Sequence, residues 1–175
     1  MENQFAWVIF YKEFANKLLE YKSKREQLID MVKKIYSETG IDLPTLELDN
    51  KLADIDPFTV FGLFNKSSMR EENRIKIITE VKELFGVGTE VPVSFDSIPV
   101  LNNQNATFYY FVDSRGDKDI DDLWELFESA LTYAKDPTVD NREVLSRFLM
   151  LSSIKKVMET AKLQWDCIGL RRILS

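Results

Sequence analysis

Asp117, Asp119, Asp121 and Glu128 stand at the first, third, fifth and twelfth positions of a calcium-loop pattern. That pattern needs glycine at its sixth position to make a sharp turn, and this chain has Asp122 there. Acids at this spacing also suit the positive end of a helix dipole, so a helix start is the better reading. Glu80-Val81-Lys82 has the acid–x–lysine form with which metal-dependent nucleases hold Mg²⁺ and an attacking water. Such a centre needs the tripeptide on a strand beside a second Asp. Here it lies in a helical pattern and includes a core valine, so no metal is expected.

The remaining candidates bind rather than react. "IDPFTVFGLFNKSSMREENR", residues 55–74, places Phe58, Phe61 and Phe64 ahead of Lys66, Arg70 and Arg74. Rings can stack on bases while cations contact phosphates. A spacing of three, however, puts the rings on one face of a short helix and favours core packing for them. Lys66 and Arg70 fall at a loop and a helix start, where a cation opposes the dipole but suits an anion site. Farther along, Asn102, Asn103 and Gln104 offer side-chain amides able to pair with adenine edges or peptide groups. Asn also tolerates left-handed backbone angles, and a turn is the favoured reading there. The nucleic-acid-binding candidates are therefore Lys66, Arg70, Arg74, Asn102, Asn103 and Gln104.

Three further features narrow the chemistry. With no histidine in 175 residues, the chain lacks Ser–His–Asp and Cys–His arrangements and every His-containing metal site. Its single cysteine, Cys167, allows neither an internal disulfide nor a Cys cluster for zinc. No phosphate-loop motif occurs, and Gly86-Val87-Gly88 reads as a helix stop rather than a dinucleotide fingerprint. No catalytic residue and no cofactor are expected, and the chain reads as non-enzymatic. The amphipathic N-terminus carries Glu2, Lys12 and Glu13, unlike a signal peptide or a membrane span. A cytoplasmic protein without membrane contact is expected.

The formal charge of −6 disfavours indiscriminate binding to nucleic acid. The charge is uneven, however. Residues 142–172 hold seven basic side chains against three acids, whereas residues 113–128 hold seven acids against Arg115 and Lys118. A confined basic surface on an acidic protein is compatible with this distribution.

The elements that must position these residues are mainly helical. Trp7, Phe10, Phe14, Leu18 and Tyr21 recur at helical spacing, and Leu28, Met31, Val32 and Ile35 resume it. Ser23 to Glu26 matches a capping box between them, so two helices, as a hairpin over residues 5–38, or one kinked helix are expected, ending at Thr39-Gly40. Asp56-Pro57 signals the start of a short helix running to about Phe64. Ser68 to Glu71 matches another capping box, opening a helix with Ile75, Ile78, Val81 and Phe85 inward and Gly86 as its stop. The middle is richer in β-branched and aromatic residues broken by Pro92 and Pro99, and predicts one or two short strands, one near residues 106–112. Helices return with Ile120, Leu123, Trp124, Phe127 and Leu131. Another, capped by residues 140–143, carries Val144, Leu145, Phe148 and Leu149. The expected architecture is mainly α, a single domain spanning residues 1–175.

"DIDPFTVFGLFNK" with Arg74 downstream, then "VPVSFDSIPVLNNQNATFYYF", then "DIDDLWELFESAL" form an ordered series. Over residues 5–134 this series resembles the N-terminal region of McrB-type AAA+ proteins of modification-dependent restriction systems. The resemblance implies a recognition domain that reads DNA or a modified base ahead of a GTP-hydrolysing motor, and thus a role in phage defence. It carries no catalytic residue over, since that family's phosphate loop lies beyond such a region. Near the end "KLQWDCIGLRRILS" departs from the expected Thr-Met-Gly-Leu-rich segment. The implied partners are DNA and an AAA+ motor module or nuclease subunit. The other reading is a protein-interaction adaptor. It rests on the acidic total and on the heptad-like series Trp7, Phe14, Tyr21, Leu28 and Ile35, which would also suit a homo-oligomer.

Overall fold

A computed structural model describes residues 6–43, 52–98, 100 and 115–153, with side chains given for 7–43, 52–98, 100 and 115–149. Six helices lie in these residues: α1 (Ala6–Leu19), α2 (Arg25–Thr39), α3 (Pro57–Phe64), α4 (Glu71–Phe85), α5 (Asp119–Lys135) and α6 (Val139–Ser153). No β-strand occurs among the described residues, and the strand expected near 106–112 lies outside them. The mainly helical architecture is as the periodicity indicates.

The centre of the fold is α3. All eight of its residues, PFTVFGLF, are buried, as expected for a helix that is apolar on every face. Phe61 meets Tyr11 and Phe14 of α1 and Phe127 of α5, with ring centroids 5.9, 5.1 and 6.1 Å apart. Phe58 meets Phe127 edge-on at 5.7 Å, and Phe64 lies 6.0 Å from Phe14. The three phenylalanines of the 55–74 stretch therefore belong to the core.

A helix buried on all sides must have its free N-terminal amides satisfied from within. Asp56 does this: its Oδ1 accepts from the Phe58 and Thr59 amides at 2.8 and 3.1 Å, and its Oδ2 accepts from the Thr59 hydroxyl. Pro57 at the first helical position has no amide to satisfy. The preceding Ile55 carbonyl accepts from Trp124 Nε1 at 3.0 Å, which ties the start of α3 to α5. At its other end, the Leu63 carbonyl accepts from Tyr36 Oη of α2 at 2.8 Å.

The helix ends follow the sequence only in part. Gly40 and Gly86 close α2 and α4 with φ of 65° and 64°, as expected. The capping boxes do not form. α2 begins after Lys24 and α4 after Arg70, and neither residue makes a side-chain cap. Arg25 instead donates from Nε to the Lys22 carbonyl and pairs with Asp54 and Asp121. The cap of α6 comes from Thr138, whose hydroxyl accepts from the Asn141 amide, rather than from residues 140–143. Two expected core positions face outward: Ile75 on α4 and Val144 on α6, where Ile77 and Leu145 are buried. A one-residue error in a helical stripe is enough to place a side chain about 100° away.

The acids of the calcium-like pattern act as structural partners. Asp121 pairs with Arg25, Glu128 and Glu125 with Lys22, and Asp119 accepts from the Gly116 amide. Asp121, Glu125 and Glu128 thereby fasten the α1–α2 turn to α5, with the Arg25 guanidinium 5.9 Å from the Trp124 ring. Glu80-Val81-Lys82 lies inside α4 with Val81 buried and Lys82 paired to Glu90. Among the described residues, no three His, Cys, Asp or Glu side chains converge as metal ligands. A second clamp joins α1 to the loop after α4. The Glu13 carboxylate accepts from the Gly88 and Thr89 amides at 2.7 and 2.9 Å and from the Thr89 hydroxyl.

Burial pushes the Asp56 carboxyl up to about 6 against the hydrogen bonds, from Thr59 first, that favour its ionised form. The folded state therefore holds this proton more tightly than the unfolded chain does. The group's contribution to stability falls as pH rises from about 4 to about 6 and is level above that. Asp56→Asn keeps an acceptor for both amides and should remove this fall. Denaturant titrations of wild type and variant at pH 4.5 and 7.5 should diverge in that sense, by at most about 3 kcal/mol. Asp56→Ala should cost about 2 kcal/mol or more at either pH, because cap and Thr59 partner are both lost.

Hydrogen bonds from Thr89 and Gly88 hold the Glu13 carboxyl below its usual range. Its clamp is thus complete at neutral pH and is lost only as pH falls through that lowered value. In NMR titrations the Gly88 and Thr89 amide shifts should move together at acid pH. In Glu13→Gln they should lose that inflection.

Candidate anion-binding interface

Where α3 ends, Asn65 turns the chain and is buried. Its Nδ2 donates to the Phe61 carbonyl at 3.1 Å, and its Oδ1 accepts from Tyr11 Oη at 2.9 Å. With this anchor set, Lys66 begins a tight turn in which its carbonyl accepts from the Met69 amide at 3.1 Å. The same carbonyl accepts from Arg74 Nη2 at 3.2 Å. Arg70 then precedes α4, and its carbonyl accepts from the Arg74 amide at 3.0 Å. The fold thereby gathers Lys66, Arg70 and Arg74 around one turn and one helix start.

Their environments differ. Arg70 is exposed, Lys66 is half-buried, and Arg74 is only 7% exposed. The Arg74 side chain points back along α4, as helical side chains do, and its guanidinium lies 5.6 Å from the centre of the Phe95 ring. Phe95 is held in turn by a turn with Ile98, whose amide donates to the Phe95 carbonyl at 3.0 Å. Trp7 Nε1 of α1 donates to the Asp96 carbonyl at 2.9 Å and pins the same loop. Ser97 in that loop has a left-handed φ of 57°.

The electrostatics of this group are unbalanced. Arg74 Nε is buried and makes no hydrogen bond, and no carboxylate among the described residues forms an ion pair with Lys66, Arg70 or Arg74. Lys22, Arg25 and Lys82 are also shielded from water, yet each reaches at least one carboxylate. Burial pushes the Lys66 ammonium below its usual value, with nothing opposing it. Tyr11 is no counterion either. Burial raises its phenol far above the ordinary value, so it remains a neutral donor to Asn65 despite the nearby Arg74.

Of the sequence-derived candidates, the structure unites Lys66, Arg70 and Arg74. Asn102, Asn103 and Gln104 lie outside the described residues. Arg74 takes a different part from its neighbours, since it supports the turn from beneath. Tyr11, Asn65 and Phe95 were invisible as site residues. Their partners lie 54 residues away for Tyr11 and Asn65, and no local spacing links them. In the basic segment 142–172, Arg142 and Arg147 are exposed on α6, and residues from 154 onward are outside the description.

These features define a helical domain with a cationic turn resting on a buried arginine. The chain belongs to the family described as a domain of unknown function, DUF8425, whose model matches residues 7–166. Neither the curated proteins nor the solved structures contain a match to it.

If Arg74 were retained for stability alone, replacing it with an apolar side chain of similar length should harm the fold. A buried charge without a counterion among the described residues argues the reverse. Arg74→Met keeps packing against Phe95, and the Lys66 carbonyl keeps the Met69 amide. We expect its unfolding free energy to lie within about 1 kcal/mol of wild type or above it. Arg74→Ala, which empties the space, should lose about 2 kcal/mol or more in the same urea titration.

Proposed function

We propose that this chain is a non-catalytic recognition domain that binds DNA through the 65–70 turn and the start of α4. The observation that carries the reading is the set of shielded cations, Lys66 and Arg74, left without a carboxylate among the described residues beside exposed Arg70. Desolvated positive charge costs free energy, and a polyanion offsets that cost. The net charge of −6 confines such binding to this surface instead of spreading it over the molecule. The ordered motifs resembling McrB-type N-terminal regions support a place beside an AAA+ motor or nuclease subunit, in cytoplasmic defence against phage. No helix among the described residues is long and apolar enough to cross a membrane.

Fluorescence anisotropy with short duplexes tests this reading. Binding should weaken steeply with salt, because each neutralised phosphate releases counterions. The joint variant Lys66→Ala with Arg70→Ala should lower the magnitude of the logarithmic salt slope by about 1, the change for one phosphate no longer neutralised. Negligible binding of both modified and unmodified duplexes at low salt overturns the proposal.

A second reading, an adaptor that docks on a motor, a nuclease subunit or another copy, draws on α6. That helix packs against α5 and buries Leu145, while Val139 and Val144 are 71% and 44% exposed. The heptad-like series no longer supports it. Trp7, Phe14, Leu28 and Ile35 are buried in the chain's own core, on two helices separated by a turn. Light scattering decides the self-association arm: a strictly monomeric chain that also ignores its partner subunit excludes the adaptor.

A further inference from the structure

Arg70 is the wrong residue for its position on local grounds. It occupies the N-cap of α4, makes no capping hydrogen bond, and sets a positive charge at the positive end of the helix dipole. Serine, threonine, aspartate or asparagine would cap the first amides, which have no acceptor within the helix. Beneath it lies a second anomaly, independent of the first. Arg74 is more than nine-tenths buried, with an Nε–H that has no acceptor and a charge that has no counterion among the described residues. Buried donors without partners are rare, and one common resolution is an ion or water supplied from outside.

Resting on the DNA reading above, we propose that the Lys66–Arg70 turn and the first turn of α4 form a seat for a single phosphate group, a phosphodiester of the DNA backbone. Lys66 and Arg70 contact its oxygens together with the free amides of α4. Arg74 contributes positive charge from below and holds the turn in place through the Lys66 carbonyl. Glu71 and Glu72 in the same helical turn oppose the three cations, so the local charge is small. That balance suits one phosphate and not a long tract of backbone. A contact of this type positions the protein on the duplex without reading a base, so base discrimination must reside elsewhere on the surface.

The variant Arg70→Ser separates this role from a structural one, because it adds a helix cap while removing the cation. Its unfolding midpoint should rise by roughly 2–4 °C. Its DNA binding should weaken equally for modified and unmodified duplexes, with a salt slope smaller by about 0.9. Inorganic phosphate is the second probe, compared with chloride at matched ionic strength. At ten times its dissociation constant it should raise the wild-type midpoint by roughly 3 °C, and that rise should be lost in Arg70→Ser and in Lys66→Ala. If phosphate acts no differently from chloride, or Arg70→Ser binds DNA like wild type, the phosphate seat is overturned while the DNA reading stands. A phosphate effect without DNA binding overturns the DNA reading and leaves a site for a free phosphate or phosphomonoester. Loss of binding to one duplex type alone overturns the backbone assignment, because the residue is then reading a base.

Discussion

An eight-residue helix with no face toward water sets the terms for the rest of this molecule. Every residue of α3 is buried, so its polar backbone ends cannot be left to solvent. Asp56 answers for the N-terminal amides, Tyr36 meets the Leu63 carbonyl, and Trp124 meets the Ile55 carbonyl just upstream. Each of these partners comes from or anchors to a different element. The surrounding helices are thereby positioned by hydrogen bonds as well as by the rings of Phe58, Phe61 and Phe64. The core is specific for this reason: apolar packing alone tolerates many arrangements, whereas buried polar groups tolerate few.

The same constraint shapes the surface. As α3 ends, the chain must leave the core, and Asn65 makes the exit by bonding back to Phe61 and accepting from Tyr11. The exit delivers Lys66 and Arg70 to the outside at the start of α4. Charges elsewhere are used to fasten elements together. Lys22 and Arg25 gather acids from α5 and from the segment before α3, and Glu13 clasps the loop after α4. The turn at 65–70 is built differently: Arg74 beneath it meets a carbonyl and an aromatic ring, and no carboxylate among the described residues pairs with Arg74, Lys66 or Arg70. A region that departs from the local rules obeyed nearby is where function is most reasonably sought.

Much of this fold was legible locally. Asp56-Pro57 announced the cap of α3, Gly40 and Gly86 announced two helix ends, and the stripe from Ile120 to Leu131 marked the buried face of α5. The failures were also local. Ser23 and Ser68 fit a capping box, but α2 and α4 begin two and three residues later, because Arg25 is drawn to Asp54 and Asp121 and Arg74 to the Lys66 carbonyl. Tertiary partners outweighed a cap that contributes only about 1 kcal/mol. The aspartates of 117–121 illustrate the same point, since their spacing resembled a metal loop until Arg25 and the Gly116 amide accounted for two of them.

The sequence by itself determined that the chain is mainly helical, that histidine chemistry is absent, and where apolar periodicity begins and stops. Those properties depend on residue type and on neighbours three or four positions away, which the chain carries within each segment. Only the tertiary structure decided which cations would be neutralised and which would not. Lys22 and Lys66 are the same residue type, each placed just beyond a helix end. One meets Glu125 and Glu128 across more than a hundred residues of chain, and the other meets no carboxylate among the described residues. That difference arises from which surfaces fold against each other, because an ion pair is a matter of distance in space and not of position in the chain.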